Sequence, residues 1–575
     1  MNYYNENKFQ KKPSNYKSIP EIAKSKLKFI PLGGLGEFGK NMAVLEYEDD
    51  IIIIDCGMMF PRKEMLGVDF AIPNIKYLED NKDKIRGMLV THGHEDHIGA
   101  IPYLAPLLGM PIYATRLTKG FIDVKLKEFN ISKIEVHKIN VHDKLKFGVF
   151  EVEPFQTTHS FPDSIGFVIK TPVGNLVWLT DFKIDKTPID NRLFDIPTLE
   201  KASKEGVLAL FSDSSRADTP GSTISEKEIG KTFDEIIKKA NGRVIVTSFA
   251  SLLHRIQQVI DVAHKHGRKV AVSGRSMVDN VEMAIRLGYL NVPKNTIVDI
   301  RKANKINDRE LVVLCTGSQG QELSALVRMA RGEHKQIQIK RGDTIIISAS
   351  PIPGNEEAIQ DTVNDLFRRG AHVMYGRDVD VHVSGHAYKD ELKQVIELVK
   401  PKFFVPIHGE YHHLVLHSDL AKATGIPEKN ISVIENGRVL EMDNDQIYPV
   451  RRRVPAGYVL VDGLGIGDVG NIVLRDRRAM ASAGIVVAIV TVDKEGNLLT
   501  SPDIISRGFI YMREAEDLVH KIRNEIKNLV HRYYRQYRGD ISTMKNLMRD
   551  DLTKFIYNET KREPMVLPVV IELKR

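Results

Sequence analysis

The chain has 575 residues, 42% hydrophobic and 27% charged, the balance of an ordinary globular protein and too long for one core, so about three domains of ~100–200 residues are expected. A formal net charge of +7 and a pI near 8.9 permit a polyanionic partner but specify none. The two cysteines, Cys56 and Cys315, lie in apolar runs, which excludes a disulfide framework and a thiolate-built metal site and suits a reducing compartment.

Residues 1–26 are polar and Lys/Asn-rich, without the apolar stretch of a signal peptide, and read as a disordered arm. The longest apolar runs, at 51–54 and 484–492, are strand-sized. No membrane span is therefore expected, and a cytoplasmic location is the default. From 27 the chain shows a hairpin, MAVLEY and IIIID around the turn EDD. A buried strand leading into THGHEDH and a helix over IGAIPYLAPLL come next, then strands through FGVFEVEPFQTTH, IGFVIKT and GNLVWLTD. This first block is placed at 27–221.

Between 222 and 365 amphipathic helices alternate with buried strands, the texture of a separate α/β domain. Its first helix, SEKEIGKTFDEIIKKA, opens on a Ser/Glu capping box. Histidine-bearing strand ends return at VDVHVSGHA and KFFVPIHGEY, so 366–450 is expected to complete the first domain around an insertion. RRRVPAGYV reads as a linker at 451–462. The remainder, 463–575, reads as a small α+β domain with strand GIVVAIVTVD, long basic helices and a final strand PMVLPVVIEL.

The chemistry concentrates in HGHEDH. His92 and His94 are alternate residues of an extended stretch and can grip one ion, while Asp96 and His97, past the turn, can face a second. A lone strand-end histidine is ordinarily structural, but three imidazoles and a carboxylate in one loop have little structural use. His159, Asp181 and His408 each end an apolar run, where a sheet presents side chains to a cleft, and Asp181 has two oxygens with which to bridge. Asp55, ending IIIID, suits a carboxylate that orients the histidine loop.

HGHEDH at 92–97 followed by His159 and Asp181, with Asp55 before it, resembles the metallo-β-lactamase superfamily. The resemblance implies an αββα sandwich, with His92, His94 and His159 on one zinc, Asp96, His97 and His408 on another, and Asp181 between them. The inserted block resembles the β-CASP domain of nucleic-acid-processing members, marked by Asp213 in FSDSS, His386 in VSGHA and His408 in PIHGEY. A histidine at the last of these positions is typical of members acting on RNA. PLGGLGEFGKN, DCGMMFP, TGSQGQE, VHVSGHAYKDEL and the C-terminal SRGF resemble the bacterial ribonuclease J family from about 27 to the end. The arm at 1–26 and SSRAD after Asp213, where STN-like residues are usual, depart from that pattern.

The resemblance implies a ribonuclease with two Zn2+ per chain that works on single-stranded RNA. Its expected activities are 5′-to-3′ exonucleolytic, preferring a 5′-monophosphate, and endonucleolytic, in RNA maturation and decay. Two such ions would acidify a water and neutralise phosphate oxygens, leaving a 5′-phosphate and a 3′-hydroxyl. Asp96 and His386 are the expected catalytic residues, His386 contacting the scissile phosphate without holding metal, while Asp213, like Asp55, is expected behind the ligands. His382, Val383, Ser384, Gly385 and His386 would form the pocket for the nucleotide end, and Glu37 and Phe38 would reach a base. A dimer or tetramer built through 463–575 and partners in an RNA-decay complex are also implied.

Other classes compete. Gly34-x-Gly36-x-x-Gly39, with Asp55 about 20 residues on, matches a dinucleotide-binding fingerprint, but MAVLEYEDDIIIID leaves no room for the helix that must follow. Gly465-x-Gly467-x-x-Gly470 is a second match in a strand-and-turn context. A diiron–flavin redox protein would carry its second α/β block outside the first domain. A non-catalytic RNA-binding scaffold subunit would be expected to have lost ligands, whereas this chain keeps all seven.

Overall fold

The structure is a computed structural model and describes residues 25–352, 354–376, 381–537 and 540–573. Apart from Ser25 and Lys26, the arm expected at 1–26 lies outside these residues.

The run Ile51–Ile54 shows how the first domain is built. Alternate side chains of a strand face opposite ways, so Ile52 and Ile54 enter the core between two sheets while Ile51 and Ile53 pack under helices outside. The first sheet has eight strands, running from an edge at Ile447–Arg453 through Arg438–Met442, Leu27–Gly33, Met42–Tyr47, Asp50–Ile54 and Ile85–Leu89 to two short strands ending at Val136–Lys138. The second has six and includes Gly174–Leu179, Val207–Asp213 and Phe403–Ile407 as parallel neighbours. Between the sheets Phe29 meets Phe211 edge-on at 4.8 Å and Trp178 at 5.9 Å. Helices Ile101–Leu108 and Arg116–Glu128 cover one outer face, and Ile196–Glu205 and Lys389–Val399 the other. The architecture is the expected αββα sandwich.

Between Val207–Asp213 and Phe403–Ile407 the chain builds an all-parallel six-stranded sheet with helices on both faces. Its strands are near-continuous Val/Ile/Leu runs because both faces are buried. Arg243 and Asp343, each nearly inaccessible, pair through two hydrogen bonds of 3.0 and 2.6 Å beneath it. The insert seats on the first domain where helix Arg275–Arg286 crosses helix Arg116–Glu128. At Gly120 a Cβ would lie 2.7 Å from Met283 Sδ and from Leu287 Cδ1, so the helices approach this closely only over glycine.

The C-terminal unit carries Ile485–Val492 between Asp503–Arg507 and Met565–Glu572, with helices Glu516–Gln536 and Ile541–Thr560 over one face. Among the described residues no helix is long and apolar enough to cross a membrane.

Two boundaries and the setting of one motif differ from the sequence reading. The insert's sheet runs past 365, since His372–Met374 pairs with Thr344–Ile347. The expected linker 451–462 holds the end of the edge strand Ile447–Arg453 and all of Tyr458–Asp462, which pairs with Phe70–Pro73. Helix Asn471–Ala483 follows the second glycine fingerprint, but Tyr458–Asp462 lies in an antiparallel sheet and Ile485–Val492 in a different one, so no βαβ unit exists there. After the first fingerprint comes strand Met42–Tyr47.

Candidate metal centre

The site lies where strands of both sheets end. Asp50–Ile54 and Ile85–Leu89 are parallel, so their ends deliver Asp55 and the segment Thr91–His97 side by side. His92 and His94 sit on extended chain, and a single helical turn, Glu95–Ile98, carries Asp96 and His97. Gly57 backs this turn: a Cβ there would fall 1.5 Å from the Asp96 carbonyl oxygen. From the second sheet, Gly174–Leu179, Val207–Asp213 and Phe403–Ile407 lead to Asp181, Asp213 and His408. Asp55, Asp181 and His408 all adopt positive φ, at 62°, 37° and 53°. Non-glycine residues rarely hold this conformation, and such strain gathers at functional sites.

Two donor sets result, His92, His94, His159 and Asp181, and Asp96, His97, Asp181 and His408. Asp181 belongs to both. Its Oδ2 lies 3.5 Å from His92 Nε2 and 3.7 Å from His159 Nε2, while its Oδ1 lies 3.1 Å from His97 Nε2 and 3.2 Å from His408 Nδ1. In the first set His94 Nδ1 stands 3.0 Å from His92 Nε2 and 3.1 Å from His159 Nε2.

Neighbouring groups fix which nitrogens carry protons. His159 Nδ1 is 2.7 Å from the Gly385 carbonyl, which only accepts, so Nδ1 donates and the lone pair of Nε2 faces the cluster. His97 Nδ1 likewise donates to Asp55 Oδ2 at 2.8 Å, and Asp55 also accepts from the Thr91 amide at 2.8 Å. Burial holds the His92 and His159 imidazoles well below their ordinary range and His94 down to about 4. His97 behaves oppositely: burial disfavours its charge, but Asp181, Asp96 and Asp55 outweigh burial and raise it well above 6.5. Asp181 is held low, His408 and His97 overcoming the cost of burying its charge. The neutral lone pairs of His92, His94 and His159, converging on the buried Asp181 carboxylate, suit a cation. His408 Nδ1, fully buried without a hydrogen-bond partner, fits the same account.

His386 stands beside both sets, its ring 5.1 Å from that of His159 and 5.5 Å from that of His408. Its Nδ1 donates to Asp213 Oδ2 at 2.8 Å, and its side chain is 25% exposed, open to the cleft. Asp213 is itself held by the Ser215 amide and hydroxyl at 2.9 and 2.7 Å. Burial works against the His386 imidazolium, yet Asp213 carries it up to about 9. Ser384 Oγ accepts from the His386 amide at 3.0 Å, and a Cβ on Gly385 would lie 2.6 Å from His159 Cε1. His382 accepts from Arg255 Nη1 at 2.8 Å, whereas Val383 is buried at 4% exposure.

Phe38 packs edge-on to His408 at 6.2 Å and against His413 at 5.5 Å, at the rim of the cluster. Glu37 corrects the sequence reading. Its carboxylate is buried, 3.2 Å from Lys40 Nζ and accepting from Asn436 Nδ2 at 2.8 Å, so it braces the glycine loop and cannot reach a base. Sequence reasoning missed Asn41, whose Nδ2 lies 3.1 Å from His97 Nε2 and donates to the Asp96 carbonyl at 3.1 Å. It also missed Thr91 and Ser160, whose hydroxyls touch Asp55 and His159. Thr91 is signalled by its place before the histidine run; Asn41, at the end of a glycine loop, has no such mark.

Four segments match described families: residues 35–211 the metallo-beta-lactamase superfamily, 241–366 the beta-CASP domain of ribonuclease J, 375–433 the Zn-dependent metallo-hydrolase RNA specificity domain and 472–573 the ribonuclease J C-terminal domain. The chain is 41% identical to ribonuclease J2 of Bacillus subtilis over 549 residues, covering 95% of this chain and 99% of that one. The chain belongs to the ribonuclease J family. Ribonuclease J 1 of Streptococcus pyogenes is 42% identical over 94% of this chain and 96% of its own. A crystal structure of a protein of unknown function from Enterococcus faecalis shares the fold, with a TM-score of 0.55 at 16% identity over 72% of this chain and all of that one. Family membership and the donor sets agree on a metal cofactor.

Proposed function

We propose that the chain is a metal-dependent ribonuclease carrying two zinc ions, acting on single-stranded RNA as a 5′-to-3′ exonuclease that prefers a 5′-monophosphate and also as an endonuclease. One observation carries this reading: Asp181 turns one oxygen to each donor set, and His386, held by Asp213, stands over both. His92, His94 and His159 would hold one ion, Asp96, His97 and His408 the other, with Asp181 shared. Bound there, the ions would supply Lewis acidity, lowering the pKa of a water and neutralising phosphate oxygens.

The chain's own groups do the rest. Asp213 keeps the His386 ring charged and fixed through Nδ1, which leaves Nε2–H to donate to the scissile phosphate or to protonate the departing 3′-oxygen. Asp55 and Gly385 hold His97 and His159 in the tautomers that present Nε2. Asn41 holds the turn bearing Asp96. His382 to His386 would line the pocket for the nucleotide end, and Phe38 would offer its ring to a base. The products carry a 5′-phosphate and a 3′-hydroxyl.

Cytoplasmic RNA maturation and decay, and assembly as a dimer or tetramer, belong to the same reading. Ile505, Val487 and Leu567 form an apolar row across the C-terminal sheet on the face its helices leave open, which supports self-association. A non-catalytic scaffold role finds no support, because all seven donors converge. Metal analysis with digestion of 5′-labelled monophosphate and triphosphate RNA tests the proposal. Two zincs at the cluster and faster mononucleotide release from the monophosphate are expected; intact RNA with zinc bound would overturn it.

A further inference from the structure

A second group of ligand-type side chains lies beyond the hydrolytic cluster. Asp218, His412 and His413 each bring one ligand atom within 4.8 Å of the others. His412 and His413 begin helix Tyr411–Ala423, their rings 3.8 Å apart. Asp218 comes from the 213–219 loop, where SSRAD departs from the family's usual pattern. Asp218 and His412 are exposed, while His413 is only 7% exposed and its Nδ1 is buried without a hydrogen-bond partner.

Among the described residues no hydrogen bond joins these three side chains to one another, although the Asp218 carboxylate accepts from the Thr219 hydroxyl at 3.0 Å. The nearest approach of carboxylate to imidazole, Asp218 Oδ2 to His413 Nε2, is 3.9 Å and too long for a hydrogen bond. Burial, with His412 and Arg216 adding to it, holds His413 down to about 4, so its ring is neutral and offers a lone pair. Two imidazoles and one carboxylate, open to solvent on one side, are a donor set for zinc or another borderline divalent metal.

We propose that Asp218, His412 and His413 form a separate divalent-metal site that clamps the 213–219 loop onto helix Tyr411–Ala423. The loop and helix already touch at a further point, where Ser214 Oγ lies 3.0 Å from His417 Nδ1, and the Ser214 amide donates to the His408 carbonyl at 3.1 Å. A metal at the far end of the loop fixes both of its ends. The near end is Asp213, which holds His386, so occupancy steadies the residue that faces the phosphate without adding a ligand to the hydrolytic cluster.

The test counts zinc in the full-length chain by elemental analysis after equilibration at micromolar free zinc. His412→Ala, at an exposed position, and the isosteric Asp218→Asn should each lower the content by one ion per chain relative to wild type. In a chain whose hydrolytic cluster is dismantled by His92→Ala, His97→Ala and Asp181→Ala, which leaves at most two donors in either set, one zinc should remain and disappear on adding His412→Ala. That remaining ion should also raise the thermal midpoint, and adding His412→Ala should abolish the rise. Because each comparison is a difference across His412, it holds whether or not the hydrolytic cluster takes two zincs. Equal zinc content with and without His412 in both backgrounds would overturn the proposal, as would a dismantled chain that holds none.

Discussion

Asp55→Ala removes one carboxylate from three buried donors. Oδ1 accepts from the Thr91 amide at 2.8 Å, and Oδ2 accepts from the Thr91 hydroxyl at 2.9 Å and from His97 Nδ1 at 2.8 Å. Asp55, Thr91 and His97 are all at most 3% exposed, so water does not readily replace the lost acceptor. Each orphaned donor costs ~1–3 kcal/mol, and the alanine chain should be less stable by several kcal/mol. The effect on metal is separate. Without Asp55, the His97 proton is free to move from Nδ1 to Nε2, the nitrogen that must face the ion, and the ring can turn. Losing such a partner weakens metal affinity ~10–100-fold, or ~1.4–2.8 kcal/mol.

Asp55→Asn separates the two effects. Its carbonyl oxygen still serves Thr91, but its amide nitrogen meets His97 Nδ1 and demands a lone pair there, which drives the proton onto Nε2. The asparagine chain should therefore be more stable than the alanine chain yet bind metal no better. The assay is RNA cleavage against free zinc, beside the thermal midpoint. The activation midpoint should rise ~10–100-fold in both variants, with most of the maximal rate recovered at saturation. An asparagine chain with wild-type metal activation would refute the tautomer argument.

His386→Ala should keep the metals of the hydrolytic cluster and lose ~10²–10⁴-fold in cleavage rate, read by metal content and single-turnover kinetics; loss of metal instead would move His386 into the ligand set. Gly57→Ala puts a methyl 1.5 Å from the Asp96 carbonyl, so the turn carrying Asp96 and His97 must shift, and metal content should fall with stability lowered by ~1–3 kcal/mol. His417 is fully buried, and burial lowers it to about 3. Below its ordinary 6.5 the unfolded chain takes up the proton first, so this contribution is intact above pH 6.5 and is lost as pH falls toward 3. Between pH 6.5 and 5 wild type should lose up to ~2 kcal/mol relative to His417→Leu in denaturant titrations, and parallel pH profiles would contradict it.

The strands of the sandwich and the donors of the HGHEDH loop were legible because they rest on short-range rules, while the αββα arrangement and the grouping of His159, Asp181 and His408 with that loop came from the family resemblance. Alternation divides Ile51–Ile54 between two cores, and the spacing of HGHEDH puts paired donors on each side of one turn. Helix Asn471–Ala483 was not legible, because Leu474 is its one buried residue and no apolar stripe marks it. The edge strand through Arg451–Arg453 read as linker because its backbone pairs on one side while its side chains stay in water. Glu37 misled through its glycine-rich setting; its role depends on Asn436, about 400 residues away. Asp218 and the pair His412 and His413 also come together only through the fold.

The insertion explains why the distant histidines matter. The chain leaves the first domain just beyond Asp213 and returns at His386, and these two residues are joined at 2.8 Å across the gap. Beside them the Ala387 amide donates to the Phe182 carbonyl at 2.6 Å, next to Asp181, and the Lys389 amide donates to Thr219 at 3.0 Å. The Gly385 carbonyl sets the His159 tautomer. The returning strand of chain therefore touches one ligand of the first donor set, the neighbour of the bridging carboxylate, and the loop that follows Asp213. A sandwich without the insert would still gather His92, His94, Asp96 and His97 on their turn, but His159 would lose the partner that aims its lone pair. The segment returning from the insert completes the metal centre, so loosening it should cost metal affinity as well as cleavage.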